Sequence, residues 1–318
     1  AALPSVPRMT ALRRLVVILG PTASGKSALA IALAERLNGE VVACDSTQVY
    51  RYFDIGTGKV PAAERCGIPH HMIDLAEPEE VFTAGEYRRR ATEVLETTCA
   101  RGKLPILTAG TGLYLRALLE GLAEAPARSE ELRERLRQRV ARRGREHLHG
   151  IFKRLDPESA LRIAPGDTQK VIRAIEIHLL SGQSASALHQ VGRAGLQGFR
   201  VLKIGLMPPR AALYRRIDQR VTAMLEGGWL DEVKILLSKG IAPTSKPFEF
   251  LGYSQLRDVL AGKMAFDDAV RHIQQATRRY AKRQMTWFRK ESDVNWIEAF
   301  GDDPAVAAEA FRLAAVME

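Results

Sequence analysis

The chain has 318 residues, 46% of them hydrophobic, so it is long enough to bury a large core as one domain or two. Its net charge of +10 exceeds what solubility needs and favours a polyanionic partner. Three widely spaced cysteines (Cys44, Cys66 and Cys99) argue against a disulfide framework and a thiolate zinc site, and no apolar stretch is long enough to span a membrane. These features predict a cytoplasmic protein.

Short apolar segments alternate with helical patterns along much of the chain. Residues 1–8 show neither pattern and are left out of the fold prediction. LVVIL at 15–19 predicts a buried strand, and a helix is predicted over 27–37. Because strands that alternate with helices form parallel sheets covered on both faces, the predicted fold class is α/β. The further predicted strands are at 41–45, 70–75, 105–110 and 201–206.

The pattern changes between the fourth and fifth predicted strands. Residues 126–188 have a helical pattern without a convincing strand. The sequence therefore predicts an all-helical insertion domain at 122–199, inside a core formed by 1–121 and 200–318. The chain after 210 is predicted to be helical again.

The sequence GPTASGKS at 20–27 matches the phosphate-binding pattern GxxxxGK[ST] between a predicted strand and a predicted helix. Such a P-loop turns backbone N–H groups and a lysine toward a diphosphate or triphosphate, and the Ser27 hydroxyl is a candidate Mg²⁺ ligand. The pattern alone leaves open whether the protein hydrolyses nucleotides, phosphorylates a substrate or uses a diphosphate as a leaving group. The predicted diphosphate-binding residues are Gly20, Thr22, Ala23, Ser24, Gly25, Lys26 and Ser27.

Asp45 follows the second predicted strand, at the sheet edge where open α/β sheets bind ligands. There it could be a Mg²⁺ ligand, a helix cap or a general base, and the residues alone favour the cap. Ser46, Thr47 and Gln48 come next and could bind the polar edge of a planar ligand such as a base.

Six sequence blocks together resemble the tRNA dimethylallyltransferases over residues 15–296. The blocks are GPTASGKS, DSTQVYR at 45–51, DIGTGK at 54–59, HHMIDL at 70–75, AGTGLYLRALLEGL at 109–122 and AKRQMTWFRK at 281–290. In that family a P-loop core carries a helical insertion. The chain lacks the cysteines of the zinc-finger extension of eukaryotic relatives, so the resemblance is to the bacterial type.

The resemblance implies transfer of the dimethylallyl group from dimethylallyl diphosphate to N6 of the adenine at tRNA position 37, next to the anticodon, with release of diphosphate. It implies Asp45 as general base, Thr111 as the residue that orients the diphosphate or the reacting centre, and Arg220 as the cation that neutralises the leaving group. Without the resemblance, an arginine in an amphipathic helix is expected at the surface.

The tRNA-binding prediction combines the resemblance with composition. The run from 271 to 290 has seven basic residues and three aromatic ones and no acid, which suits either RNA binding or a solvated helix with aromatic residues in the core. DTQKVIRAIE at 167–176 resembles an insertion segment that touches tRNA, although Asp167 could equally be a helix N-cap. The predicted tRNA-binding residues are Asp45, Ser46, Thr47, Gln48, Gln169, Lys170, Arg173, Lys282, Arg283, Gln284, Trp287 and Arg289.

One block departs from the family. EFLGYS at 249–254 has Glu249 and Ser254 where the family usually has basic residues. Either this loop contacts tRNA differently or the alignment of this block shifts by one residue. His70 and His71 are adjacent on a predicted strand and so point to opposite faces, which favours structural roles over a metal site.

The expected partners are the tRNA anticodon stem-loop, dimethylallyl diphosphate and Mg²⁺, with a monomeric enzyme that has no membrane contact. A small-molecule P-loop kinase, a prenyltransferase acting on free adenine nucleotides, and a non-catalytic RNA-binding protein are the alternatives.

Overall fold

The computed structural model describes residues 12–123, 125–190 and 194–317. Its described part contains one six-stranded sheet in the order β3-β2-β4-β1-β5-β6, in which every neighbouring pair is parallel. The α/β prediction is therefore confirmed. The strands are β1 (Arg13–Leu19), β2 (Gly39–Cys44), β3 (His70–His71), β4 (Leu104–Ala109), β5 (Phe199–Leu206) and β6 (Val294–Ile297).

Helices form most of the remaining regular structure of the described residues. They are α1 (Lys26–Leu37), α2 (Ala84–Ala100), α3 (Gly112–Leu119), α4 (Glu130–Arg143), α5 (Arg145–Leu155), α6 (Pro157–Arg162), α7 (Thr168–Ser181), α8 (Ala185–Gln190), α9 (Arg210–Glu226), α10 (Trp229–Ser238), α11 (Tyr253–Leu260), α12 (Phe266–Phe288) and α13 (Pro304–Ala315). Within the described residues, none of these helices is long and apolar enough to cross a membrane.

The central strand β1 shows why the sheet is covered on both faces. Alternate side chains of a strand point to opposite faces, and Leu15, Val17 and Leu19 pack in one core cluster with α2 and α3. Val16 and Ile18 pack in a second cluster with α1 and α13. Because both faces are buried there, residues 15–19 of the strand are a continuous apolar run.

The register of the sheet brings three strand ends together. Leu19 at the end of β1 lies opposite Ala109 of β4, and Ala109 lies opposite Cys44 of β2. The segments that follow these strands are 20–25, 45–49 and 110–111. They therefore meet at one edge of the sheet.

Two predicted elements need correction. The strand predicted at 70–75 is reduced to His70–His71, since Met72 and Asp74 take φ values of 64° and 55° that a strand does not accommodate. The chain after 210 is not entirely helical, because Val294–Ile297 pairs with β5 as a sixth strand. Four residues are too few to give a strand pattern in the sequence.

The chain divides into two compact units. One comprises the chain up to Leu119 and from Leu196 onward, and the other is Glu120–Gly195. The second unit holds α4 to α8 around a core that includes Leu148, Phe152 and Ile175. Its limits lie two and four residues before the predicted limits of the insertion.

Candidate active site at the carboxyl ends of the strands

The segment between β1 and α1 forms an open phosphate-binding loop. Gly25 is the N-cap of α1 with φ 91°, and no side chain caps the helix. A Cβ at Gly25 would lie 2.6 Å from the backbone nitrogen of Gly301, so both conformation and space require glycine. The first N–H groups of α1 have no helical partners and give this end of the helix a positive potential, which suits an anion.

Lys26 folds back onto its own loop. Its Nζ donates to the carbonyl oxygens of Gly20, at 2.9 Å, and Pro21, at 2.8 Å. Burial lowers the pKa of Lys26 to about 7, with the nearby Asp45 carboxylate acting against this shift and Arg220 adding to it. An amine at the phosphate-binding loop whose hydrogen-bond partners among the described residues are carbonyl oxygens suits the binding of a phosphate.

The other predicted diphosphate-binding residues belong to the same loop. Ser24 is fully buried, and its Oγ has no hydrogen-bond partner among the described residues. Ser27 is exposed in the first turn of α1. The N–H of Thr22 is already engaged, since it donates to Oε1 of Gln284 at 2.7 Å.

Asp45 directs one carboxylate oxygen into its own turn and leaves the other at the strand edge. Its Oδ1 accepts hydrogen bonds from the N–H and the hydroxyl of Thr47, at 2.8 and 2.6 Å. Residues 46–49 form a turn, so the helix-cap interpretation of Asp45 is wrong. Oδ2 faces Gly110, where a Cβ would lie 2.4 Å away, and no hydrogen bond from a described residue engages it.

Thr111 locks the turn of Asp45 to the end of β4. Its hydroxyl accepts from the N–H of Ser46 at 2.9 Å and donates to Oγ of Ser46 at 3.2 Å. The N–H groups of Gly110 and Thr111 both donate to the carbonyl oxygen of Cys44 at 3.0 Å. Asp45 and Thr111, both predicted as catalytic, thus lie side by side.

The polar groups after Asp45 are largely used inside the protein. The N–H of Ser46 and the hydroxyl of Thr47 make the bonds just described. Gln48 donates through Nε2 to the carbonyl oxygens of Thr57, at 3.1 Å, and Gly58, at 3.3 Å. These side chains shape the site, and any contact they make with tRNA stays a prediction.

Arg220 lies inside the site, whereas the helix pattern alone favours the surface. Burial lowers the pKa of its guanidinium, with Arg216 adding to the shift and Asp45 opposing it. A Cβ at Gly58 would lie 2.3 Å from Nη2, so the side chain lies directly against the 54–59 loop. Within the described residues no carboxylate pairs with Arg220. Lys26 and Arg220 both lie close enough to Asp45 for its carboxylate to raise their pKa values, so the three side chains share one site.

Two residues that sequence reasoning missed hold the 54–59 loop in place. Oε2 of Glu232 accepts from the N–H groups of Asp54, at 3.2 Å, and Ile55, at 2.8 Å. The hydroxyl of Tyr253 donates to Oε1 of Glu232 at 2.5 Å and accepts from the N–H of Gly56 at 3.1 Å. Burial raises the pKa of Glu232.

The anchoring role of Tyr253 accounts for the Gly-Tyr pair of the 249–254 segment. Gly252 lies against the Trp229 ring, where a Cβ would be 2.0 Å from the nearest ring atom. Glu249 is exposed and forms an ion pair with Lys246. The presence of both the DIGTGK block and the Gly-Tyr block could have pointed to Tyr253 as an anchor of the 54–59 loop. The sequence, however, does not show that the two blocks are in contact.

The predicted RNA-binding residues of α12 fall into two groups. Lys282, Arg283 and Arg289 are exposed. Gln284 is only 7% exposed, and its Nε2 donates to the carbonyl oxygen of Gly110 at 2.8 Å, so this side chain is not available at the surface. The Trp287 ring is partly buried and packs against Gly112, where a Cβ would be 2.1 Å from it.

The predicted RNA-binding residues of α7 also differ in exposure. Gln169 and Lys170 are exposed. Asp167 is the N-cap of α7 and accepts from the N–H of Lys170, which supports the N-cap interpretation. Arg173 donates to Glu176 at 2.7 Å and to the carbonyl oxygen of Pro126 at 2.9 Å, so its guanidinium is engaged within its own unit.

His70, His71 and Cys44 contact groups inside the protein, which indicates structural roles. His70 lies 2.9 Å from the carbonyl oxygen of Ile68, and Nε2 of His71 lies 2.7 Å from Oε2 of Glu40. Burial raises the pKa of the Cys44 thiol to about 12, so the thiol stays protonated. The part of the chain that the structure describes has no cluster of three or more histidine, cysteine or acidic side chains fit to hold a metal ion.

The family model and similar curated proteins point to the same family. A family model described as IPP transferase matches residues 48–291. Proteins named tRNA dimethylallyltransferase from Koribacter versatilis and Solibacter usitatus are 52% and 51% identical, covering 94% and 92% of this chain and 97% and 95% of theirs.

Solved structures agree with the sequence relatives. The full-length tRNA isopentenylpyrophosphate transferase of Bacillus halodurans has a TM-score of 0.71 and 37% identity, with 96% of both chains covered. A eukaryotic dimethylallyltransferase described as acting on tRNA has a TM-score of 0.80 and 27% identity, with 96% of this chain and 78% of that chain covered.

Proposed function

The chain belongs to the IPP transferase family, and relatives that share about half of its sequence are named tRNA dimethylallyltransferase. From this membership we propose the reaction that the chain catalyses. The enzyme transfers the dimethylallyl group of dimethylallyl diphosphate to N6 of the adenine at tRNA position 37, next to the anticodon. The family predicted from the six sequence blocks is confirmed. The donor, the acceptor atom and the residue roles are the proposed part.

The observation that carries the proposal is the meeting of Lys26, Arg220 and Asp45 at the phosphate-binding loop. Two cations and the N-terminus of α1 favour a diphosphate. The free Oδ2 of Asp45 beside them supplies a proton acceptor. An alkyl transfer to an amine needs both a leaving-group site and a base, and this arrangement supplies both.

The bond changes follow from this arrangement. The bond between C1 of the dimethylallyl group and the diphosphate oxygen breaks as N6 of adenine bonds to C1. The diphosphate keeps the electron pair and is stabilised by Lys26, Arg220 and the loop N–H groups. N6 gives up one proton, which Asp45 accepts. Thr111 holds the turn of Asp45 in place, so its contribution is orientation.

Mg²⁺ fits the oxygen groups at this site. The Ser27 hydroxyl, in the first turn of α1, is a hard oxygen ligand beside the loop, and Mg²⁺ is usually held by one or two protein groups together with substrate phosphates. The ion would neutralise part of the diphosphate charge.

The exposed basic residues Lys282 and Arg283 of α12, and Arg289 directly after this helix, suit the phosphates of a tRNA anticodon stem-loop. Gln169 and Lys170 of the helical unit are also available to RNA. We expect the enzyme to act as a monomer in the cytoplasm.

The test uses radiolabelled dimethylallyl diphosphate, Mg²⁺ and unmodified tRNA, with AMP or labelled ATP in parallel reactions. We expect label in tRNA, and Asp45→Asn should slow transfer by at least about 100-fold with tRNA affinity unchanged. Asp267→Asn, an exposed carboxylate on α12, is the matched control and should behave as wild type. Label in AMP alone, ATP turnover without transfer, or tRNA binding without chemistry would each contradict the proposal.

The RNA-binding surface has its own test. Replacing Lys282 and Arg283 with alanine should weaken tRNA binding and reduce the slope of log K against log salt by about one to two. Lys234→Ala with Lys239→Ala removes the same charge from the exposed side of α10 and serves as the control. An unchanged affinity and salt slope in the α12 variant would exclude this surface.

A further inference from the structure

Gln284 joins the phosphate-binding loop to the end of β4. Its Oε1 accepts the N–H of Thr22 at 2.7 Å, and its Nε2 donates to the carbonyl oxygen of Gly110 at 2.8 Å. With 7% exposure, the side chain is buried between the two segments. A primary amide is required for both contacts, because one end must accept and the other must donate.

The Gly110 end of this bridge lies against the proposed base. The carbonyl oxygen of Gly110 also accepts from the Tyr280 hydroxyl at 3.4 Å. The Gly110 backbone is so close to Asp45 that an added Cβ would meet Oδ2 at 2.4 Å. The next residue, Thr111, binds the turn that carries Asp45. Gln284 therefore holds one hydrogen bond on the diphosphate side of the site and another on the acceptor side.

We propose that Gln284 is a positioning residue for prenyl transfer, which fixes the phosphate-binding loop relative to Asp45 and is not an RNA contact. The inference rests on the proposed function, since it requires the diphosphate in the loop and Asp45 as the base. Transfer needs C1 and N6 at about 3 to 3.5 Å, and a displacement of about 1 Å costs roughly 100-fold in rate. The loop follows β1 and Asp45 follows β2, and the amide links the loop to the Gly110 backbone that lies against Asp45.

Two substitutions separate the roles of the amide. Gln284→Met keeps the length of the side chain and removes both hydrogen bonds. Gln284→Glu keeps an acceptor for Thr22, but an ionised carboxylate cannot donate to Gly110 and faces another oxygen. Gln275→Met is the matched control, since Gln275 is an exposed glutamine on the same helix.

We expect single-turnover transfer at saturating substrates to fall about 10- to 100-fold in Gln284→Met and at least as much in Gln284→Glu. The Kd for tRNA should stay within about twofold of wild type, as for other substitutions away from an RNA contact. In Lys282→Ala with Arg283→Ala, by contrast, we expect weaker tRNA binding as the main effect. Such a division between rate and affinity is not expected from general loss of folded protein.

Hydrogen exchange gives a second measurement that does not depend on turnover. Loss of the bond to Thr22 should speed exchange in the 20–25 segment while the β1 amides stay protected. Wild-type rates and exchange in Gln284→Met, or weaker tRNA binding without a rate change, would overturn the positioning role alone. Wild-type protein that transfers no label to tRNA would overturn the proposed function, and this inference with it.

Discussion

Diphosphate binding should be coupled to protonation of Lys26. In the free protein, burial lowers the pKa of Lys26 to about 7, and its Nζ contacts only the carbonyl oxygens of Gly20 and Pro21 among the described residues. A bound diphosphate gives the ammonium an anionic partner, which raises the pKa. Above pH 7, binding must therefore include uptake of a proton by Lys26.

The size of the effect follows from the free-state pKa. At pH 8, one unit above a pKa of about 7, roughly nine in ten free molecules have a neutral Lys26. Binding at pH 8 should therefore take up about 0.9 proton per site through Lys26. Affinity should fall by up to about tenfold, or about 1.4 kcal/mol, for each pH unit above 7, until the pH reaches the raised pKa of the bound state. Below pH 6 the contribution disappears, because Lys26 is already charged.

Titration calorimetry with inorganic pyrophosphate in two buffers of different ionisation enthalpy measures the proton count. Pyrophosphate has protonation changes of its own, so the informative quantity is the difference between wild type and Lys26→Arg. Arginine stays charged at every pH used and takes up no proton. Lys26→Met, which has no titrating group, is a second reference. Equal proton uptake in wild type and in both variants at pH 8 would refute the reasoning.

Three substitutions test the surroundings of the site and the helical unit. Gly110→Ala should slow transfer by about 100-fold while pyrophosphate still binds, since the new methyl displaces Asp45; rates and Kd values report this. Glu232→Gln should lower the free energy of unfolding by about 1 to 3 kcal/mol, measured by urea denaturation, because the 54–59 loop loses its carboxylate anchor. Glu176→Gln should cost about 3 kcal/mol at pH 7, because it breaks the buried pair with Arg133. Burial raises the pKa of Glu176, but hydrogen bonds led by that of Arg133 outweigh it and the net pKa is lowered. The carboxylate's contribution is therefore present above pH 4.5 and is lost as the pH falls through the lowered pKa, so only wild type should show this loss in acid melts.

The sheet and the phosphate-binding loop were predictable because their signals are local. A buried apolar run such as 15–19 is visible in any window of the sequence, and the loop motif is contiguous between a strand and a helix. β6 was missed because four residues are too few to show the alternation of a strand in the sequence. These residues become a strand because they pair with β5 in the sheet. The strand predicted at 70–75 failed for a related reason, since positive φ values at Met72 and Asp74 have no local sequence signal.

Arg220 and Gln284 show where local reasoning ends. Both lie on amphipathic helices, where a polar residue is expected to face solvent. Gln284 finds Thr22, 262 residues away in the chain, and the guanidinium of Arg220 lies against Gly58. The family resemblance identified Arg220 because the family has an arginine at this position whose positive charge neutralises the leaving group. The resemblance grouped Gln284 with the RNA contacts because Gln284 lies in the same sequence block as Lys282 and Arg283. On the helix, however, the Gln284 side chain is buried while those of Lys282 and Arg283 are exposed.

The glycines outside the phosphate-binding loop have a different role from those within it. Two GTG segments, 56–58 and 110–112, lie outside the phosphate-binding loop. In the structure, an added Cβ would meet Arg220 at 2.3 Å from Gly58, Asp45 at 2.4 Å from Gly110 and Trp287 at 2.1 Å from Gly112. These glycines therefore make room for side chains of the site. It follows that alanine at Gly110 acts through the displaced aspartate, so its effect should vanish in a background that already lacks the Asp45 side chain. Alanine at Gly58 should keep part of its effect without Arg220, because φ at this position is 66°.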